Sequence, residues 1–181
     1  MQYQNLIFAC VALGVIGVRS GFASAAEGAQ AAAPCSAPEY RQFDFWLGIW
    51  DVRSDGVTIA ESRIEMGRDG CTIDEHYAQT DGYRGGSVNF YDTVLRKWRQ
   101  TWIDASGNVG EFAGTFNEGA MHFEGETHTR EGRRILRRLT LTAESPEQVR
   151  QYSEASTDHG RTWRPHYDFT YIRKAAPQPR R

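Results

Sequence analysis

Residues 98–127 read WRQTWIDASGNVGEFAGTFNEGAMHFEGET, and this stretch decides the fold. Trp98, Gln100 and Trp102 alternate with polar neighbours, so one strand puts two indoles and an amide on a single face. The alternation then breaks at Ser106-Gly107-Asn108 and again at Asn117-Glu118-Gly119. Glycine beside Asn or Glu supplies the positive φ that tight hairpins need. The segments Trp98–Asp104, Val109–Phe116 and Met121–Thr127 are therefore expected to be three consecutive antiparallel strands.

The same pattern extends in both directions. Further strands are expected at Gly48–Ser54, Val57–Met66, Cys71–Gln79, Gly86–Asp92, Ile135–Ala143, Val149–Ala155 and Pro165–Arg173. Turns fall at Ser54-Asp55-Gly56, Arg68-Asp69-Gly70, Asp81-Gly82, Glu131-Gly132 and Asp158-His159-Gly160. Five Trp, eight Tyr and nine Phe set among Thr, Val and Gly favour strands, and no stretch of about 12 residues keeps a helical apolar period. Only Ala37–Phe43 is expected to form a short helix, leading into the domain. The fold class is all-β. About ten strands with no helix to cover them should curl and close, because closure removes exposed edges. An antiparallel up-and-down barrel is the expected architecture. A β-sandwich is the alternative, since a period of two fits both.

The flanks differ in composition. Leu6–Val18 is an apolar run too short to span a bilayer, followed by Ala23-Ser24-Ala25, a small-x-small cleavage pattern. Residues 1–25 are expected to be a signal peptide, 26–36 a linker, 37–174 the barrel domain and 175–181 a disordered tail. The mature chain would work in the periplasm or outside the cell, without stable membrane insertion. Removal of residues 1–25 also removes Cys10 and leaves Cys35 and Cys71, which in an oxidising compartment are expected to pair.

Charge narrows the partners. The mature chain carries 20 basic against 23 acidic residues, a balance with no field for nucleic acid or anionic membrane. Arg133, Arg134, Arg137 and Arg138 lie on a strand, so their charges divide between two faces, and a solvated edge is the expected setting.

The opening of the domain is Phe43-Asp44-Phe45-Trp46-Leu47-Gly48-Ile49-Trp50-Asp51-Val52. Its Gly48-Ile49-Trp50 resembles the Gly-x-Trp that begins the first strand of lipocalin-like (calycin-type) barrels. The resemblance implies that Trp50 closes one end of the barrel and that Arg173, on the last strand, packs across it. From Phe43 to Arg173 the chain also resembles a group of uncharacterised bacterial exported proteins opening with FDFWLGxWDV. The shared phrases continue through Trp98, Gln100, Trp102, Asp104 and Gly107, then Arg150, Gln151, Glu154, Ser156, Asp158, Gly160, Thr162 and Trp163. This second likeness implies a barrel and export; the activity of that group is itself unknown.

Ser156-Thr157-Asp158-His159-Gly160-Arg161-Thr162-Trp163 resembles the Asp-box of sialidases. It occurs once, which excludes a propeller, and Asp158, Gly160 and Trp163 are expected to build a turn. Should the barrel be hollow, Glu75, Asn89, Tyr91, Trp98, Gln100, Trp102 and Gln151 are the expected polar-aromatic lining for a small, partly apolar ligand. The competing setting for the tryptophans is solid core. Glu75 stands in an apolar-aromatic face, where burial would raise its pKa and suit it to general-base work in an isomerase or hydrolase; a structural pair with an inward Arg is the favoured expectation. A third reading is a solid barrel whose outer surface binds another protein. His76, His122, His128, His159 and His166 lack metal-ligand spacing, so no metal is expected. His166 is placed like the haem-bound His of nitrobindin-type barrels, but with no second haem signature no cofactor is assigned.

Overall fold

In a computed structural model, residues 33–175 are described, so the expected signal peptide, most of the linker and all but the first residue of the tail lie outside the described residues. Ten strands run in order: β1 (Gly48–Ser54), β2 (Val57–Gly67), β3 (Thr72–Gln79), β4 (Arg84–Asp92), β5 (Lys97–Asp104), β6 (Val109–Asn117), β7 (Ala120–His128), β8 (Arg134–Ser145), β9 (Gln148–Ser156) and β10 (Arg164–Arg173). Each pairs antiparallel with its sequence neighbour, and β10 returns to β1, so the sheet is a closed barrel. Closure rules out the sandwich. All ten expected strands are present, with boundaries moved by no more than two residues.

The expected helix at Ala37–Phe43 is instead a pair of single 3-10 turns, Pro38–Arg41 and Asp44–Trp46. A turn suffices there because the segment folds across the end of the barrel rather than along it. Cys71 falls just before β3, and its sulfur lies at bonding distance, 2.00 Å, from that of Cys35. This pairs the lead-in with the β2–β3 connection.

Burial follows the period of two around the barrel. Inward positions include Trp50 and Val52, Ser62 and Ile64, Ile73 and Glu75, Asn89, Trp98 and Gln100, Phe123, Leu139 and Leu141, Val149 and Gln151, and Tyr171. Outward positions carry cross-strand ion pairs such as Arg138–Glu124 and the two-pronged Arg150–Asp168. The basic cluster does divide between faces: Arg134 and Arg138 pair outside with Glu126 and Glu124, while Arg137 turns inward. The expected solvated edge does not exist, since β8 is paired on both sides.

One end is plugged. Phe43 stacks on Trp46 at 5.0 Å between ring centres and meets Trp98 edge-on at 5.5 Å. The Trp50 indole N–H donates to the Trp46 carbonyl at 2.9 Å, and Tyr171 lies edge-on to both indoles. The Arg173 guanidinium sits 4.1 Å from the centre of the Trp50 ring and donates to the Leu47 carbonyl at 2.8 Å. Gly48 makes room for it: at φ +138° a side chain would be strained, and its Cβ would displace the Arg173 guanidinium. Residues Ser156 to Trp163 form a hydrogen-bonded turn. Asp158 accepts from the Thr162 amide (2.9 Å) and hydroxyl (2.6 Å) and from the Ser156 hydroxyl (2.7 Å), which hold its carboxyl down to about 2. Trp163 lies outside the barrel, with the Arg138 guanidinium 3.9 Å above its ring.

Candidate functional site: a cavity at the open end of the barrel

Opposite the plug the barrel is hollow, enclosing a cavity of about 500 Å³. The connections β3–β4, β5–β6 and β7–β8 form its rim. Its walls are aromatic: Tyr77, Trp102, Phe112, Tyr167 and Phe169 all line it. Trp102 lies edge-on to Tyr77 at 5.9 Å, and Tyr167 stacks on Phe169 at 4.4 Å. Space for the Trp102 indole comes from Gly85 across β4, where a Cβ would collide with its six-membered ring.

The floor is polar and ordered by one hydrogen-bonded chain. Asn89 donates to the Ile73 carbonyl at 2.9 Å, which can only accept, so its amide orientation is fixed. The same Asn89 nitrogen donates to the Ser87 hydroxyl at 3.0 Å. Ser87 therefore turns its own proton to Glu75 Oε2 at 2.9 Å, while Ser62 donates to Oε1, also at 2.9 Å. From the cavity side, Gln100 donates to Asn89 Oδ1 at 2.8 Å, which leaves its carbonyl and second N–H for whatever enters. Across the cavity Tyr171 donates to Gln151 Oε1 at 2.7 Å.

Glu75 is the chemical centre of this floor. Among the described residues no cation lies within 4.0 Å of it, so the expected pair with an inward Arg is not formed. Its two partners are neutral hydroxyls. Burial raises its pKa to about 7, against the lowering effect of the Ser62 and Ser87 hydrogen bonds. Around it stand tyrosines held neutral. Burial, then the Glu75 charge, pushes Tyr77 up to about 12, and the same causes, in the same order, raise Tyr171 and contribute to raising Tyr167. The rim carboxylate Asp104 behaves oppositely. Burial would raise it, but hydrogen bonds from Asn108, Ser106 and Tyr83 outweigh that and hold it below the ordinary range.

Four of the seven residues proposed from sequence as lining, Glu75, Gln100, Trp102 and Gln151, meet around this cavity. The other three do not border it. Trp98 is buried in the plug, where its indole N–H donates to Gln42 at 3.2 Å; Tyr91 packs between Tyr40 and Trp98; and Asn89 lies beneath the floor with both ends of its amide bonded. All three face inward as the alternation requires, but at the wrong depth.

The lining residues not found from sequence include Tyr77, Phe112, Tyr167, Phe169, Arg137 and His166, and the last two show why. Arg137 was read as part of a solvated cluster, although it shares the parity of Leu139 and Leu141 and so faces inward. His166 has outward parity, but the pairing of β10 with β9 slips between Pro165 and Tyr167, and the extra residue brings His166 to the cavity mouth. Pro165 was the available signal, since proline inside a strand marks a bulge or an edge. Neither a protein-family model nor a curated protein matches this chain. The functional class therefore rests on the cavity itself.

Proposed function

We propose that this chain is an exported, lipocalin-like binding protein that holds one small, partly apolar molecule inside its barrel. The cavity carries the reading: about 500 Å³ falls within the usual range for ligand sites, roughly 300–1,000 Å³, with aromatic walls and a few oriented polar groups. Trp102, Phe112 and Phe169 would contact a flat apolar body, and Gln100 and Gln151 would orient its polar atoms. Export is supported by the signal-like N-terminal sequence and by the Cys35–Cys71 pair. No helix among the described residues is long and apolar enough to cross a membrane. Native mass spectrometry on protein purified from its own host tests the reading. A single bound mass, released on unfolding and lost in Trp102→Ala, is the expected result; bare protein that takes up no apolar probe overturns it.

A second reading, an enzyme in the same cavity, has one specific observation in its favour. A carboxyl poised near neutrality without a cation partner suits proton abstraction. Glu75 would take a proton from a bound carbon acid in an isomerase, or from water in a hydrolase, while Gln100 donates to the oxygen that gains charge. Glu75→Gln should then bind as tightly as the parent and turn nothing over, with parent activity rising as pH passes about 7. The interaction-module reading has less support, because it assumed a solid barrel.

A further inference from the structure

The cavity holds a cation with no counter-ion among the described residues. Arg137 enters from β8, and among the described residues only the Nε of its guanidinium reaches an acceptor, the Thr127 hydroxyl at 3.2 Å. Its Nη1 is buried with no acceptor, and no carboxylate among the described residues lies within 4.0 Å of the group. Burial pulls its pKa below the usual value, though a guanidinium stays charged. A desolvated charge without a partner is costly unless something supplies one.

Arg130 adds a second positive charge to the lining, and His128 and His166 also border the cavity; burial, then the Arg137 charge, lowers the pKa of His166 and favours its neutral form. Of the two lining carboxyls, Glu75 on the floor is largely protonated below about 7, and Asp104, though ionised, has its oxygens engaged by Asn108, Ser106 and Tyr83 and lies more than 4.0 Å from any cation among the described residues. The walls between floor and mouth are rings.

We propose that the cavity selects an amphiphilic monoanion, an aromatic or similarly apolar body bearing one carboxylate or sulfonate, with the anionic group on Arg137. This rests on the binding reading above and adds the charge of the ligand. An oxyanion would occupy the unused N–H donors of the guanidinium, the geometry that Arg recognises best. The body would lie against Trp102 and Phe112, and any polar atom at its far end would meet Gln100.

Two dyes of one skeleton test it: 8-anilino-1-naphthalenesulfonate, which is anionic, and N-phenyl-1-naphthylamine, which lacks the sulfonate. Both are titrated by fluorescence against the folded mature chain at pH 6. The expected result is binding of both, with the sulfonate at least about tenfold tighter, as one charge-assisted contact would give. Arg137→Gln should remove that advantage and leave N-phenyl-1-naphthylamine unchanged, whereas Arg137→Lys should keep part of it. Equal affinities in the unmutated chain overturn the proposal without any variant needing to fold, and so does an advantage that survives Arg137→Gln. Binding of neither dye overturns the cavity reading itself, and the proposal with it.

Discussion

Trp98 and Trp102 stand four residues apart on one face of one strand, yet they belong to two different regions of the molecule. Trp98 is buried in the plug among Phe43, Tyr91 and the lead-in residue Gln42. Trp102, two repeats of the pleat further toward the open end, stands against Tyr77 and lines the cavity. The plug is aromatic and joined by short contacts; the open end is aromatic and hollow, with polar groups aimed inward. Composition does not separate them. What does is a lid: residues 37–47 fold across one end, and nothing among the described residues covers the other.

The contrast can be broken most sharply by truncating each indole. Trp98→Ala should cost about 3–5 kcal/mol by chemical denaturation, as large core deletions do. Trp102→Ala should cost well under half as much while abolishing dye binding, and equal stability losses would show that the two ends are not distinct. The cystine gives the next effect. Cys35→Ser releases a 36-residue closure at the plugged end, with an expected loss of about 2–4 kcal/mol and unchanged affinity at the open end. A loss of binding in that variant would mean that the plug also shapes the cavity.

Glu75 sharpens the comparison through pH. Its folded pKa, about 7, lies above the ordinary value of 4.5, so the folded state holds its proton more tightly than the unfolded state does. Its contribution is full below about 4.5 and is lost as pH rises through about 7, leaving the fold less stable on the alkaline side by on the order of 2–3 kcal/mol. Glu75→Gln should flatten this slope in urea titrations at pH 5 and pH 8 and gain relative stability at the higher value. A parent slope that persists in the variant would locate the titration elsewhere. Smallest is Arg173→Met, which removes the contact with Trp50 and the bond to Leu47; about 1–2 kcal/mol is expected, again with intact dye binding.

The strands were legible because each hairpin carries its own chemistry. Gly107 and Gly119 mark turns whose positive φ a side chain would resist, and the alternation between them needs no knowledge of the rest of the chain. Inside and outside were legible for the same reason. Depth along the barrel was not, because a period of two says which face a residue takes and nothing about how far from each rim it sits. Trp98, Tyr91 and Asn89 were therefore grouped with Gln100 and Trp102, though the lead-in turns place them under the plug. Glu75 was recognised as unusual, but its serine partners come from β2 and β4 and are fixed only by register. His166 defeated parity through a single inserted residue, and Arg137 was obscured by the charged neighbours that flank it.

The bond from Arg173 to the Leu47 carbonyl joins residues 126 positions apart, whereas the other strand pairs are between immediate neighbours in sequence. Nine hairpins can form as soon as their own residues are available, but the tenth seam must wait until the C-terminal strand has been made. A chain still being synthesised consequently remains an open ribbon with two raw margins. Loss of even the last few residues of β10 should leave it in that state, prone to zip onto the margin of another copy.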